Sequence, residues 1–281
     1  MEQVAHDFAS WSKLPQFRKV LPLPVLPEPK LESPAVVQFF DYVRSDLESD
    51  PNLSEFCWFA REYPRCFRHH LQHAELRLRQ IARTYRSLHL KYTDLLAQTD
   101  TRLAVELASH DAITAKEVYW NFEAYLNALN SALELLARCV GVAYQEHVPG
   151  SFNRLCARKD LCGPVDVLRR AQVRWVQSMK DFRDCFAHYT PPETVFVISL
   201  VRYSDGWQVR AKLPKNPNVR DITKFKYSRR LDLLRYSVGL WRRVNLLDKS
   251  LAKELSPLYR TGEFPKRTQN LFALGQRRRN D

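Results

Sequence analysis

Trp175-Val176-Gln177-Ser178-Met179-Lys180-Asp181-Phe182-Arg183-Asp184-Cys185-Phe186-Ala187-His188-Tyr189 sets Trp175, Met179, Phe182 and Phe186 at steps of four, three and four, just ahead of Pro191-Pro192. Apolar side chains at that spacing share one face of an α-helix, so the stretch predicts a helix with a core stripe of those four residues. The helix is expected to open after Gly163-Pro164, because proline suits a first turn, and to end before the proline pair. With Phe186 as reference and roughly 100° per residue, Asp184 and His188 fall roughly 160° to either side of it, facing away from the core and neighbouring each other. Arg183 stands roughly 140° from His188 on an ideal helix, so the two converge only if the last turn departs from regular geometry.

Upstream, Leu71, Ala74, Leu78, Ile81, Tyr85, Leu88, Tyr92 and Leu95 alternate by three and four, predicting a long helix from Arg61 to about Ala97. A second is expected from about Ala112 on Val118, Phe122, Tyr125, Leu129, Leu133, Leu136 and Val140, ending before Pro149-Gly150. Downstream, apolar runs at 195–203 and 207–213 flank Ser204-Asp205-Gly206, and Trp207, Val209, Ala211 and Leu213 alternate with Gln208, Arg210 and Lys212; a β-hairpin over 194–213 follows. A last helix is expected from about Arg229 to Leu255.

The ends read differently. Pro15, Pro22, Pro24, Pro27, Pro29 and Pro34 fix φ and remove backbone donors, which makes 1–34 an extended arm. The tail from Pro257, ending Arg277-Arg278-Arg279, reads as basic and disordered. The expected organisation is an arm (1–34), an N-terminal helical region (35–110), a helical domain with the hairpin inserted (111–256) and a basic tail (257–281).

Composition agrees with a mainly α chain: 281 residues carry only 7 Gly against 45% hydrophobic residues, too few for the turns of a large β fold. Lys and Arg number 44 against 31 Asp and Glu, a net charge of +13, which attracts polyanions such as nucleic acid or an anionic membrane surface. No run of 18 apolar residues occurs and Met1-Glu2-Gln3 lacks a signal-peptide pattern, so a soluble cytoplasmic protein without membrane attachment is expected. Cys57, Cys66, Cys139, Cys156, Cys162 and Cys185 lack zinc-site spacing and are expected to be reduced thiols. His69-His70-x-x-His73 has no acidic partner within the motif, and a polar helix face accounts for it better than a metal.

Arg183, a polar residue directly after it, and a histidine beyond four intervening residues resemble the signature of HEPN domains. The same loose spacing occurs at Arg65 with His70 and at Arg83 with His89. Arg183 is distinguished by the adjacent Asp184, by Ala187 before His188 and Tyr189 after it, by the apolar stripe on the opposite face, and by the helix end just beyond. The resemblance covers about 110–256 and implies a HEPN-like helical bundle, to which this chain adds an N-terminal long-helix pair and one β-hairpin insertion. Asp184 stands where the family more commonly has Asn.

The resemblance implies a ribonuclease in which the RNA's own 2′-hydroxyl attacks the adjacent phosphate, leaving a 2′,3′-cyclic phosphate, with no metal or other cofactor. His188 would exchange protons near neutral pH, Arg183 would hold the charge of the phosphorane, and Asp184 would orient one of them. It further implies a homodimer that brings two motifs together, so that Arg183 of one chain could serve His188 of the other. A toxin or defence effector controlled by an antitoxin or other regulatory protein would fit that class. The alternative is a catalytically inactive HEPN-like module that binds RNA or a protein partner. Arg202, Arg210 and Lys212 on the hairpin are candidates for an RNA-binding rim.

Overall fold

The computed structural model describes residues 33–47, 54–98, 112–144, 151–189, 198–203, 206–221, 224 and 226–260. The proline arm up to residue 32, the turn at Ser204-Asp205, Pro191-Pro192 and the tail from 261 lie outside the described residues. The described chain is mainly helical: α1 (Ala35–Leu47), α2 (Ser54–Gln98), α3 (Ala112–Ala143), α4 (Phe152–Cys156), α5 (Pro164–Ala171), α6 (Gln177–Asp184) and α7 (Leu233–Arg260). Two π turns, Gln172–Val176 and Cys185–Tyr189, interrupt the motif helix, and β1 (Ile198–Tyr203), β2 (Gly206–Pro214) and β3 (Tyr227–Asp232) form an antiparallel sheet in that order. No described helix is long and apolar enough to cross a membrane.

Three sequence expectations are corrected. The hairpin gains a third strand, because Tyr227–Asp232, read as the start of the last helix, pairs with β2 through Pro214↔Tyr227 and Lys212↔Asp232. Helix α7 therefore starts at Leu233, where the Asp232 carboxylate accepts the Arg235 N–H at 3.0 Å and caps the first turn. At its other end α7 runs through Pro257 to Arg260, and Pro64 lies inside α2, which begins seven residues before the expected Arg61. The N-terminal pair is unequal, 13 residues in α1 against 45 in α2.

The chain forms two compact units that cut across the expected boundary near residue 110. The first takes its described residues from Leu76–Tyr125 and Asp181–Gly239. Its core is aromatic: Phe186 meets Phe122 edge-on at 5.5 Å and Tyr119 at 5.8 Å, while Phe182 lies 5.0 Å from Tyr236. Burying each of these phenylalanines contributes about 1.5–3 kcal/mol, which fixes the motif helix against α3. Tyrosine hydroxyls tie the same core to the backbone, Tyr119 donating to the Lys212 carbonyl at 2.6 Å and Tyr125 to the Ser237 carbonyl at 2.8 Å.

At the centre of this unit the buried Tyr85 hydroxyl donates to Asp232 Oδ2 at 2.8 Å and accepts the Ala211 N–H at 2.9 Å. Burial pushes the Tyr85 phenol well above its ordinary value, with the Asp232 charge adding to the rise, so the hydroxyl keeps its proton. Burial also raises Asp232, against the opposing pull of the Arg235 N–H, the Tyr85 hydroxyl and Arg210.

The second unit comprises described residues of 33–75, Leu126–Lys180 and 240–260. Phe40, Phe67, Leu129, Leu133, Phe152, Leu168, Met179 and Val244 are fully buried in it. Buried Asp248 on α7 accepts the Ala35 and Val36 N–H groups at 2.7 and 3.0 Å, satisfying the first turn of α1. Gly163 supplies the positive φ of 64° that turns the chain into α5, and its N–H donates to Asp166 at 2.9 Å. Buried Lys180 donates to Glu134 at 3.1 Å and Asn153 at 3.0 Å, and its ammonium lies 5.3 Å from the centre of the Phe152 ring. This clamp fastens the short helix α4.

Candidate functional site

All four stripe residues of the motif helix are buried, with Trp175 at 7%, Met179 at 0%, Phe182 at 3% and Phe186 at 8% exposure. Arg183 and Asp184, two consecutive residues at the end of α6, are half-buried, and His188 is exposed. The end of the helix is not a regular α turn: Cys185–Tyr189 is π-helical. Because π bonding runs from i to i+5, a turn holds more residues and the phase between Arg183 and His188 shifts toward a common side. The ideal-helix separation of roughly 140° therefore does not describe the motif.

An ion pair between two neighbours in the chain, Arg183 and Asp184, lies at this end of the helix. Arg183 Nε donates to Asp184 Oδ1 at 2.8 Å, and one of its terminal nitrogens donates to the same oxygen. His188 lies within electrostatic reach of Glu123 on α3: burial raises the Glu123 carboxyl above its ordinary 4.5, and the His188 charge opposes that rise. The Phe122–Phe186 and Tyr119–Phe186 contacts explain this placement, since they seat the π turn against the very segment of α3 that carries Glu123. Glu123 was not singled out from sequence; it sits in an ordinary helical pattern, and only the packing of α3 brings it to the histidine.

The hairpin candidates divide. Arg210 is 3% exposed and its charge opposes the rise of the Asp232 carboxyl, so it belongs to the buried surroundings of that carboxyl rather than to a ligand-facing rim. The strand alternation that marked Arg210 as a surface residue fails because Val209, Ala211 and Leu213 are buried as well, leaving β2 covered on both faces there. Lys212 is half-buried and gives its carbonyl to Tyr119. Arg202 lies on β1, paired in register with Trp207.

Among the described residues no group of three His, Cys, Asp or Glu side chains is arranged to hold a metal ion. His69 and His70 meet edge-on at 5.5 Å, and the His70 imidazole is lowered first by burial and then by its neighbours His69 and His73. The cysteines with described positions are free thiols. Compared with protein-family models, with curated proteins and with solved structures, the chain matches none of them.

Proposed function

We propose that this chain is a HEPN-type endoribonuclease that cleaves RNA without a metal and works as a homodimer. The observation that carries the reading is an exposed imidazole, His188, in a π turn one turn beyond a half-buried guanidinium, Arg183, on a helix whose opposite face is anchored by Phe182 and Phe186. Such a helix end is rigid on its core side and open on its polar side, which is what a site needs to hold a phosphodiester in a set position.

In the proposed reaction His188 accepts the proton of the 2′-hydroxyl as that oxygen bonds to phosphorus. The bond from phosphorus to the 5′ oxygen breaks, and the proton is returned to that leaving oxygen, giving a 2′,3′-cyclic phosphate and a 5′-hydroxyl. Arg183 supplies a permanent cation whose planar fork matches two phosphate oxygens. Asp184 holds that fork, and an arriving phosphate exchanges with the carboxylate. A toxin or defence effector held in check by a partner protein is the setting that fits an RNA-cutting activity of this kind.

The Arg183–Asp184 pair also supports the second reading, an inactive RNA- or protein-binding module, because it leaves the arginine already satisfied. Incubating a mixed RNA pool with the protein in EDTA separates the two. The nuclease reading expects cyclic-phosphate ends that vanish with His188→Ala; cleavage that needs a divalent ion, or that survives the substitution, defeats it.

A further inference from the structure

The second unit carries a groove of about 390 Å³ lined by Arg170, Arg174 and Trp175 from α5 and the π turn that follows it, and by Arg243, Leu246 and Ser250 from α7. Among the described residues no carboxylate lines it. Arg170, Arg174 and Arg243 are exposed, and none of the three guanidiniums makes a hydrogen bond or ion pair with any described residue. By contrast, in the same unit Arg169 bonds the carbonyls of Cys156 and Leu161 at 3.0 and 2.8 Å, and Arg158 pairs with Asp160. Arg170 and Arg174 are four apart on one helical run, a spacing at which like charges repel by a few tenths of a kcal/mol. Arg243 adds a third positive charge from the opposing helix. The cluster thus carries a small cost in the isolated chain that an anion between the walls would remove.

We infer that this groove is a binding site for the phosphodiester backbone of single-stranded RNA. Guanidiniums on both walls of a concave channel converge on a chain laid between them, whereas an anionic bilayer presents a plane that the walls would not reach together. Arginine rather than lysine at all three positions suits the bidentate capture of phosphate oxygens. The lining between the charges is apolar, with Leu246 64% exposed and Trp175 and Leu247 beneath, a surface for the ribose and base edges of a strand. An overall charge of +13 draws the same ligand from a distance. The site binds RNA whether or not His188 cuts it, so it stands or falls separately from the proposed nuclease activity.

The test uses the full chain and a fluorescent single-stranded 2′-O-methyl oligonucleotide, which cannot be cleaved by 2′-hydroxyl attack, titrated by anisotropy across a salt series. Replacing Arg170, Arg174 and Arg243 together by Gln should weaken binding about tenfold or more and reduce the slope of log affinity against log salt by roughly two, the share of three phosphate contacts on a single strand. A control with equal loss of charge replaces the exposed Arg65, Arg83 and Arg86 by Gln and should fall far less. Equal losses in the two triple variants overturn the site, as does unchanged binding in the groove variant. Displacement of the oligonucleotide by poly-glutamate at equal charge would also overturn it, in favour of an acidic peptide. Loss of binding to anionic vesicles without loss of RNA binding would overturn it in favour of a membrane surface. If the triple variant melts below the parent protein, Arg243→Glu alone replaces it, with a several-fold loss expected.

Discussion

The end of the motif helix and the groove beside α5 treat arginine in opposite ways. Arg183 is pinned by Asp184, and His188 lies within electrostatic reach of Glu123; in the groove, Arg170, Arg174 and Arg243 stand without an acidic companion among the described residues. A cation that must act on a reacting atom gains from a fixed orientation and loses little by exchanging one carboxylate for one phosphate. A cation that only attracts a polymer gains from being left free, because each unneutralised charge adds to counterion release when the polymer binds. On the proposed reading, position belongs to the first region and affinity to the second, and each should be removable without the other.

The largest effect should come from the helix end. His188→Ala should lower cleavage by about a hundredfold or more while leaving the urea midpoint unchanged, since the side chain is exposed and proton transfer by a placed side chain is worth about that much. Equal loss of RNA affinity in that variant would erase the contrast. On stability the largest effect falls elsewhere: Asp232→Ala removes the cap of α7, the acceptor of the Tyr85 hydroxyl and the counter-charge of Arg210 together, and should cost about 3–5 kcal/mol in urea unfolding. Tyr85→Phe, which leaves that carboxylate in place, should cost about 1–3 kcal/mol.

Smaller still, Asp184→Asn should unpin Arg183 and change cleavage several-fold, with the salt dependence of RNA binding unaltered; a steeper salt slope would show that Arg183 belongs with the groove arginines. The smallest expected effect is a pH slope. Glu123 keeps its proton in the folded protein above 4.5, where the unfolded chain has begun to release it, so its contribution to stability falls as pH rises through that window. Glu123→Gln should flatten the fall of the urea midpoint between 4.5 and the raised value, leaving the share due to Asp232, which has the same sign. A midpoint that is already flat in the parent protein would contradict it.

Helix positions were legible because burial follows a local period: Trp175, Met179, Phe182 and Phe186, and likewise Val118, Phe122, Tyr125, Leu129, Leu133, Leu136 and Val140, are all buried as their spacing requires. Strand β3 was not legible, because Tyr-Ser-Arg-Arg-Leu-Asp has no apolar alternation and owes its form to pairing with β2. The π turns escaped for a similar reason: nothing in Cys185-Phe186-Ala187-His188-Tyr189 marks an extra residue per turn, and the pattern assumes regular geometry throughout. Of the proposed site, Arg183, Asp184 and His188 were candidates from their surroundings in the chain, whereas the proximity of Glu123 and the influence of Arg210 on Asp232 arise from segments far apart in sequence. Arg170 and Arg174 showed only a helical spacing, and their isolation from carboxylates is a property of the packed unit.

The buried ammonium of Lys180 offers a clock for motions of the second unit. With Nζ engaged by Glu134 and Asn153 and shielded by Phe152, an amine-acylating reagent reaches it only when the clamp detaches. Its acylation rate, set against that of exposed Lys249, would report how often the clamp opens in the native protein, without any denaturant.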